Sequence, residues 1–271
     1  MSELLNTLTN QFLSSRPFFF SFIRPLELSL WIDHQNKIKG SVLDYGCGDG
    51  FFTEILKNYL DHDVRITGVD LDISRIKEVK NKKTYDKLVS YKNKKLPFAN
   101  DSFDVIIANS VLEHVADIDT AISEIYRVLK PNGLFMTTVM SNQWQKNSLL
   151  VKFFGDKYEK WLAQKQEHFQ LLSLQDWTEL FRKHQFSVVK NISYLSKSAS
   201  RFLEIFHYFS IFSLISYKIF KKWIIWPNYY QYNPFSLMIR MVNKNSQKKM
   251  IINPKINIED NGSSLFFILK K

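Results

Sequence analysis

From Val42 to Gly50 the chain reads VLDYGCGDG. A short apolar run containing an aspartate ends at Tyr45. Glycines then fall at every second position, 46, 48 and 50, before an apolar stretch resumes at Phe51. Glycines so placed let the main chain bend sharply with positive φ and let a ligand approach the backbone. The pattern is that of a strand, a turn and a helix, and a helix start near Phe51 offers main-chain N–H groups to polar ligand atoms. The spacing is shorter than the dinucleotide fingerprint G-x-G-x-x-G, so it suits a ligand without a pyrophosphate. Twenty residues after Gly50 a second apolar run ends in Gly68-Val69-Asp70. A carboxylate there can accept hydrogen bonds from both ribose hydroxyls of a nucleoside.

The rest of the chain keeps the same rhythm. Short apolar runs recur at SVLDY, VRITGVD (64–70), KLVSY (87–91), FDVIIAN (103–109) and GLFMTTV (133–139). Residues 51–60 and 117–130 read as helices. In the second, Ile118, Ala121, Ile122, Ile125, Val128 and Leu129 recur at helical spacing, and Pro131-Asn132-Gly133 stops it. Strands alternating with helices predict a parallel sheet of right-handed βαβ units. Residues 173–185 read as a further helix with Ser173 as its N-cap. Phe186 to Ile192 and Ser264 to Lys270 read as strands. The expected fold is α/β, a Rossmann-like doubly wound sheet of seven strands with the last antiparallel. Residues 1–39 are expected to form an N-terminal helical cap, 40–192 and 263–271 the core, and 193–262 an insertion before the last strand. A smaller insertion is expected over 141–172.

The stretches VLDYGCGDG, GVD, LPFANDSFDVIIANSVLEHV and AISEIYRVLKPNG carry a resemblance. Over residues 40–139 the chain resembles class I S-adenosylmethionine-dependent methyltransferases, the bacterial type 11 group in particular. The resemblance implies methyl transfer with S-adenosyl-L-methionine as cofactor. It implies that Asp44, Gly46, Gly48 and Gly50 shape the pocket for the methionine half, with Tyr45 beside them and Asp49 near the amino end. It implies that Asp70 binds the ribose, that Leu71 flanks the adenine and that Asn109 lines the pocket beside the sulfonium. Members of the group often carry an acidic residue about four positions before Leu-Pro-Phe. Here Leu96-Pro97-Phe98 follows Tyr91-Lys92-Asn93-Lys94-Lys95, so position 92 is a lysine, and Asn93 or a main-chain group is expected to make the adenine contact.

Methyl transfer from a sulfonium is an in-line displacement with a good leaving group. The protein adds positioning, and a base where the acceptor must lose a proton. His114, in Glu113-His114, is one candidate base; the same pair can equally serve to hold a loop. His168, in Glu167-His168-Phe169-Gln170, is a second candidate, on a connection that overlies the active site. His62, His114 and His168 are scattered along the sequence, and no metal site is expected. The single cysteine, Cys47, reads as a small filler of the glycine turn.

The net charge is +11. Much of it sits in residues 193–262, with ten Lys/Arg against three Asp/Glu and 14 of the 41 aromatics. Basic and aromatic together mark a membrane interface or a single-stranded nucleic-acid surface. Residues 202–226 as a helix show a narrow polar stripe of Glu204, His207, Ser210, Ser213, Tyr217 and Lys221, with Trp223 and Trp226 beyond. This stretch reads as peripheral membrane contact, as a lid over the cleft or as an oligomer face; Glu204, His207 and Lys218 argue against a span. The lone cysteine, Glu3 near the N-terminus and the short run Phe18 to Ile23 argue against secretion, so a cytoplasmic protein is expected, with a peripheral place on the inner face of the membrane as one reading. The favoured acceptor is small and hydrophobic or lipid-linked: a quinone, an acyl compound or a surface-glycan precursor. An RNA or protein methyltransferase is the alternative, without a recognisable nucleic-acid module to support it. A non-catalytic cofactor-binding scaffold subunit is the third reading.

Overall fold

A computed structural model describes residues 2–13, 15–16, 18–79, 82–91, 95–209 and 262–271. Lys92, Asn93 and most of the 202–226 stretch lie outside the described residues.

Seven strands form one sheet in the order β3-β2-β1-β4-β5-β7-β6. They are β1 (Ser41–Tyr45), β2 (Arg65–Asp70), β3 (Lys87–Ser90), β4 (Phe103–Asn109), β5 (Leu129–Met140), β6 (Ser187–Tyr194) and β7 (Ser264–Lys270). The first five pair in parallel, and β7 runs antiparallel between β5 and β6. This is the expected doubly wound sheet. The chain reverses its direction of winding at β1, whose neighbours are β2 and β4, the point at whose carboxyl edge doubly wound sheets form a crevice.

Ten helices surround the sheet among the described residues. Two precede it, α1 (Ser2–Leu13) and α2 (Phe18–Asp33). Three lie in the parallel half: α3 (Phe51–Lys57), α4 (Ile73–Lys77) and α5 (Ile118–Val128). Three short ones follow β5: α6 (Gln143–Asn147), α7 (Leu149–Phe154) and α8 (Asp156–Lys165). Then come α9 (Leu174–Lys183) and, after β6, α10 (Lys197–Phe209).

Alternation along the strands splits the core into two layers. Val42, Val105, Ile107, Phe266 and Ile268 face the layer containing Trp31 of α2 and Leu203 of α10. Leu43, Ile106, Ala108, Phe267 and Leu269 face the layer containing Ile122 of α5 and Trp177 of α9. SLFFILK is apolar on both sides because β7 is covered on both faces. Ser173 caps α9 in a full capping box with Asp176, and Asp117 caps α5 through Thr120 N.

Two local readings change. Pro131-Asn132-Gly133 does not separate a helix from a strand, because β5 begins at Leu129. Asn132 takes φ 63°, and the β4–β5 register shifts between Phe103 and Val105. Glu204 is not part of an outward stripe. It is buried, and its carboxylate accepts from Ser148 Oγ, Leu149 N (2.7 Å) and Leu150 N (3.4 Å), covering the start of α7. Truncation in Glu204→Ala strands three donors in a buried place. A loss of about 2–4 kcal/mol in unfolding free energy is expected by urea denaturation, against a near-neutral effect for an exposed site such as Glu179→Ala.

Candidate functional site

The glycine turn closes as the spacing requires. Gly46, Gly48 and Gly50 have φ of 75°, 55° and 75°. Gly46 N and Cys47 N donate to Val69 O at 2.8 and 3.0 Å, which hooks the turn over the end of β2. The three glycines have different surroundings. A Cβ at Gly46 would meet Val111 at 2.6 Å and one at Gly50 would meet Tyr85 at 2.9 Å, but at Gly48 nothing lies within 4 Å. Gly48 therefore presents bare backbone to open space.

Asp70 ends β2 and organises this turn. Its Oδ2 accepts from Gly48 N and its Oδ1 from Asp72 N, both at 2.9 Å. Leu71 and Ile73, just beyond it, are exposed apolar side chains. Asp44 lies behind the turn, buried, accepting from Thr53 Oγ1 at 2.6 Å and Tyr85 OH at 2.7 Å. Burial raises its carboxyl to about 6 despite those donors. Tyr45 is buried and paired with Tyr91 OH at 3.2 Å. Burial also raises the Cys47 thiol, so it stays protonated at neutral pH. Asp49 forms an ion pair with Arg16, from the turn between α1 and α2, and the Arg16 guanidinium stacks 4.3 Å over the Phe51 ring.

Across the crevice, the ends of β4 and β5 meet α2. The buried Glu27 carboxylate accepts from Arg24, from Asn109 Nδ2 at 3.2 Å, from Tyr194 OH at 3.1 Å and from Ser110 Oγ at 3.4 Å. Asn109 Oδ1 accepts in turn from Trp31 Nε1 (3.1 Å) and Thr138 Oγ1 (2.9 Å). Ser110 is held at φ 51°, a left-handed conformation costing roughly 1–3 kcal/mol for a residue with a side chain. Arg24 donates to its hydroxyl at 2.6 Å, and its N–H reaches Thr138 Oγ1 at 2.9 Å.

Beyond Ser110 a 3-10 turn, Leu112–His114, carries Glu113 and His114. The two candidate histidines, 54 positions apart in sequence, come together here with ring centroids 4.9 Å apart. His114 Nδ1 lies 3.0 Å from Glu167 O. A carbonyl only accepts, so Nδ1 carries the proton and Nε2 of the neutral ring keeps its lone pair. Burial is the main cause lowering the His114 pKa; Arg24 and Arg75 push the same way, and the Glu167 carbonyl and carboxylate oppose. The clasp is reciprocal, since Phe169 N and Gln170 N donate to Glu113 O at 2.8 and 3.1 Å. His62 is exposed and far along the chain from this pair. Among the described residues no three metal-ligating side chains converge.

Sequence reasoning gave no role to Arg16, Arg24 and Glu27, which the structure brings here, and named Glu113 only with His114, as a pair that can hold a loop. Only the buried acid inside LEHV offered any signal. Glu113 is fully buried, and neither carboxylate oxygen is hydrogen-bonded among the described residues. Burial raises it from the ordinary 4.5 to about 7. The folded chain thus holds a proton that the unfolded chain releases, so stability falls as pH rises from 4.5 and the loss is complete above about 7. Glu113→Gln removes that dependence. Relative to wild type the variant is expected to gain roughly 1–3 kcal/mol between about pH 5 and pH 8, read from denaturation curves at the two values. Asp44 contributes equally to both proteins and cancels; parallel curves would count against a proton on Glu113.

The geometry has counterparts elsewhere. A family model described as a methyltransferase domain matches residues 21–191, from α2 to β6. Malonyl-[acyl-carrier protein] O-methyltransferase of Legionella pneumophila is 33% identical over 102 residues, 36% of each chain. The mitochondrial ubiquinone biosynthesis O-methyltransferase of Mus musculus is 37% identical over 111 residues, 38% of this chain and 29% of that one. The chain thus aligns with about a third of the length of these curated relatives. Among solved structures, phosphoethanolamine N-methyltransferase 2 of Haemonchus contortus, in complex with S-adenosyl-L-methionine, superposes with a TM-score of 0.58 at 17% identity, over 91% of this chain and 52% of that one. At that identity the likeness concerns the fold.

Proposed function

The chain belongs to the methyltransferase-domain family, and from that premise we propose that it transfers a methyl group from S-adenosyl-L-methionine to an oxygen of a small, hydrophobic or lipid-linked acceptor. The observation that carries the reading is the pairing, at one carboxyl edge, of an open glycine turn organised by Asp70 with a neutral histidine on the far side of Val111. The division into an N-terminal cap over 1–39, the core and the 193–262 insertion is part of the same proposal.

The residues fit the cofactor. Backbone at Gly48 is open where a bound amino-acid moiety needs close approach. Asp70 keeps acceptor capacity on both oxygens beyond its two backbone donors, enough for ribose hydroxyls. Exposed Leu71 and Ile73 supply an apolar platform for a base. Asp44, Tyr45, Gly46 and Gly50 support the turn from behind, Asp49 sits at its amino-acid end, and Asn109 borders the transfer point. Asn93 remains the proposed adenine contact. When bound, the cofactor supplies an electrophilic methyl on a sulfonium.

The chain's own work is to orient the acceptor and remove its proton. His114 Nε2 accepts that proton, and the Glu167 carbonyl fixes the ring and stabilises the imidazolium that forms. His168 packs against the same ring as an acceptor contact. Both curated relatives described above are O-methyltransferases, which favours an oxygen acceptor. The aromatic surroundings of the cap, such as Phe22 against Phe202 at 6.1 Å, favour an apolar one.

Calorimetry tests the cofactor site first. Wild type should bind S-adenosylmethionine and S-adenosylhomocysteine, and Asp70→Ala should bind each at least about tenfold more weakly. Absence of binding by wild type would sink the proposal. Methyl incorporation into lipid extracts then finds the acceptor. With it in hand, His114→Ala should lower kcat roughly 10²- to 10⁴-fold without changing cofactor affinity. Wild-type activity should rise with pH to a plateau whose midpoint lies below the ordinary imidazole value, because the histidine must be neutral and its pKa is lowered.

A further inference from the structure

The α7–α8 hairpin carries a surface that methyl transfer does not use. Gly155, with φ 69° and open space around it, joins the two helices. Beside it Phe153 and Phe154 stand in solvent, 83% and 67% exposed. The row continues onto α8. The Phe154 ring lies 5.8 Å from Tyr158, which lies 5.4 Å from Trp161, itself 48% exposed. Leu162 is buried on the inner side of α8, so the hairpin is anchored and the ladder is not its core. Adjacent exposed phenylalanines at the tip of a hairpin cost solubility, and both rings stay mostly in solvent although Phe154 meets Tyr158.

The charge around the ladder is of one predominant sign. Lys146, Lys152, Lys157, Lys160 and Lys165 are all exposed, and they outnumber Asp156 and Glu159. Aromatic rings flanked by lysines match the interface of an anionic bilayer, where rings enter the headgroup boundary and ammonium groups meet lipid phosphates. No helix among the described residues is long and apolar enough to cross a membrane, so the contact would be peripheral.

We propose that the α7–α8 hairpin docks this protein on an anionic lipid bilayer through Phe153, Phe154 and Trp161, with the surrounding lysines supplying the electrostatic attraction. The inference stands without the methyl-transfer reading, but the two meet in space. The loop that follows α8 carries exposed Phe169 and is clasped to Glu113 and His114. Docking by the hairpin brings the acceptor side of the crevice toward the lipid.

Co-sedimentation of the full chain with vesicles tests this, and no catalytic assay is needed. Phosphatidylcholine vesicles containing phosphatidylglycerol should bind wild type, pure phosphatidylcholine vesicles much less, and high salt should weaken binding. The double variant Phe153→Ser/Phe154→Ser and the triple variant Lys152→Glu/Lys157→Glu/Lys160→Glu should each lose roughly tenfold or more in affinity. Both change exposed side chains, and unchanged circular dichroism confirms their folding. Trp161 should account for a blue shift of fluorescence on binding that Trp161→Phe lacks. Three results would overturn the proposal. Wild type fails to bind anionic vesicles. The variants bind as wild type does, which transfers the contact to residues 210–261. Or wild type is a dimer that Phe153→Ser/Phe154→Ser converts to monomer with vesicle binding unchanged, which makes the patch a subunit interface.

Discussion

The buried carboxylate of Glu27 joins parts of the chain that the sheet alone would leave apart. Its four partners come from α2 itself (Arg24), from the end of β4 (Asn109), from the residue beyond it (Ser110) and from the end of β6 (Tyr194). A carboxylate taken out of water is tolerable only when its charge and lone pairs are matched, and removing one partner leaves a penalty of several kcal/mol. The N-terminal helix pair is thereby tied to the carboxyl end of β4, where the acceptor is proposed to lie. Ser110 is also held in its left-handed conformation, which turns the chain out of β4 and into the 3-10 turn bearing Glu113 and His114.

Three buried glutamates show how burial separates structural from chemical roles. Glu27 and Glu204 are saturated with donors, and each fixes one element against another. Glu113 is equally buried, but neither carboxylate oxygen makes a hydrogen bond among the described residues, and burial raises its pKa to about 7. Native proteins rarely leave such a group unmatched without a use for it. It adjoins His114, whose tautomer is set by the Glu167 carbonyl, and its own carbonyl receives the loop carrying the second histidine.

The two sides of the crevice have different origins. The proposed cofactor side is built from consecutive residues: a strand end, three glycines and a helix start, with Asp70 on the adjacent parallel strand at matching height. The proposed acceptor side is assembled from α2, the end of β4, the loop after α8 and the end of β6. Relatives with different acceptors can keep the first and vary the second, since the first depends on backbone geometry and the second on side chains from several elements.

This division also explains what was legible. The alternation of apolar runs with helical periodicity located all seven strands, placed β7 at Ser264–Lys270 and assigned Ser173 as a cap. Positive φ at 46, 48 and 50 followed from glycine spacing alone. Such features arise from neighbours along the chain, whose repeat is written in the residues. The meeting of His114 with the loop at Glu167 spans 53 positions, the Ser148–Glu204 cap spans 56 and the Tyr194–Glu27 bond spans 167. No periodicity records contacts of that range. An acid such as Glu204 looks like part of a solvated stripe until the fold supplies its donors. The local sequence therefore determined the sheet and the turn that opens the crevice. Only the tertiary structure decided which charged groups face each other across it, because burial and pairing are properties of the packed chain.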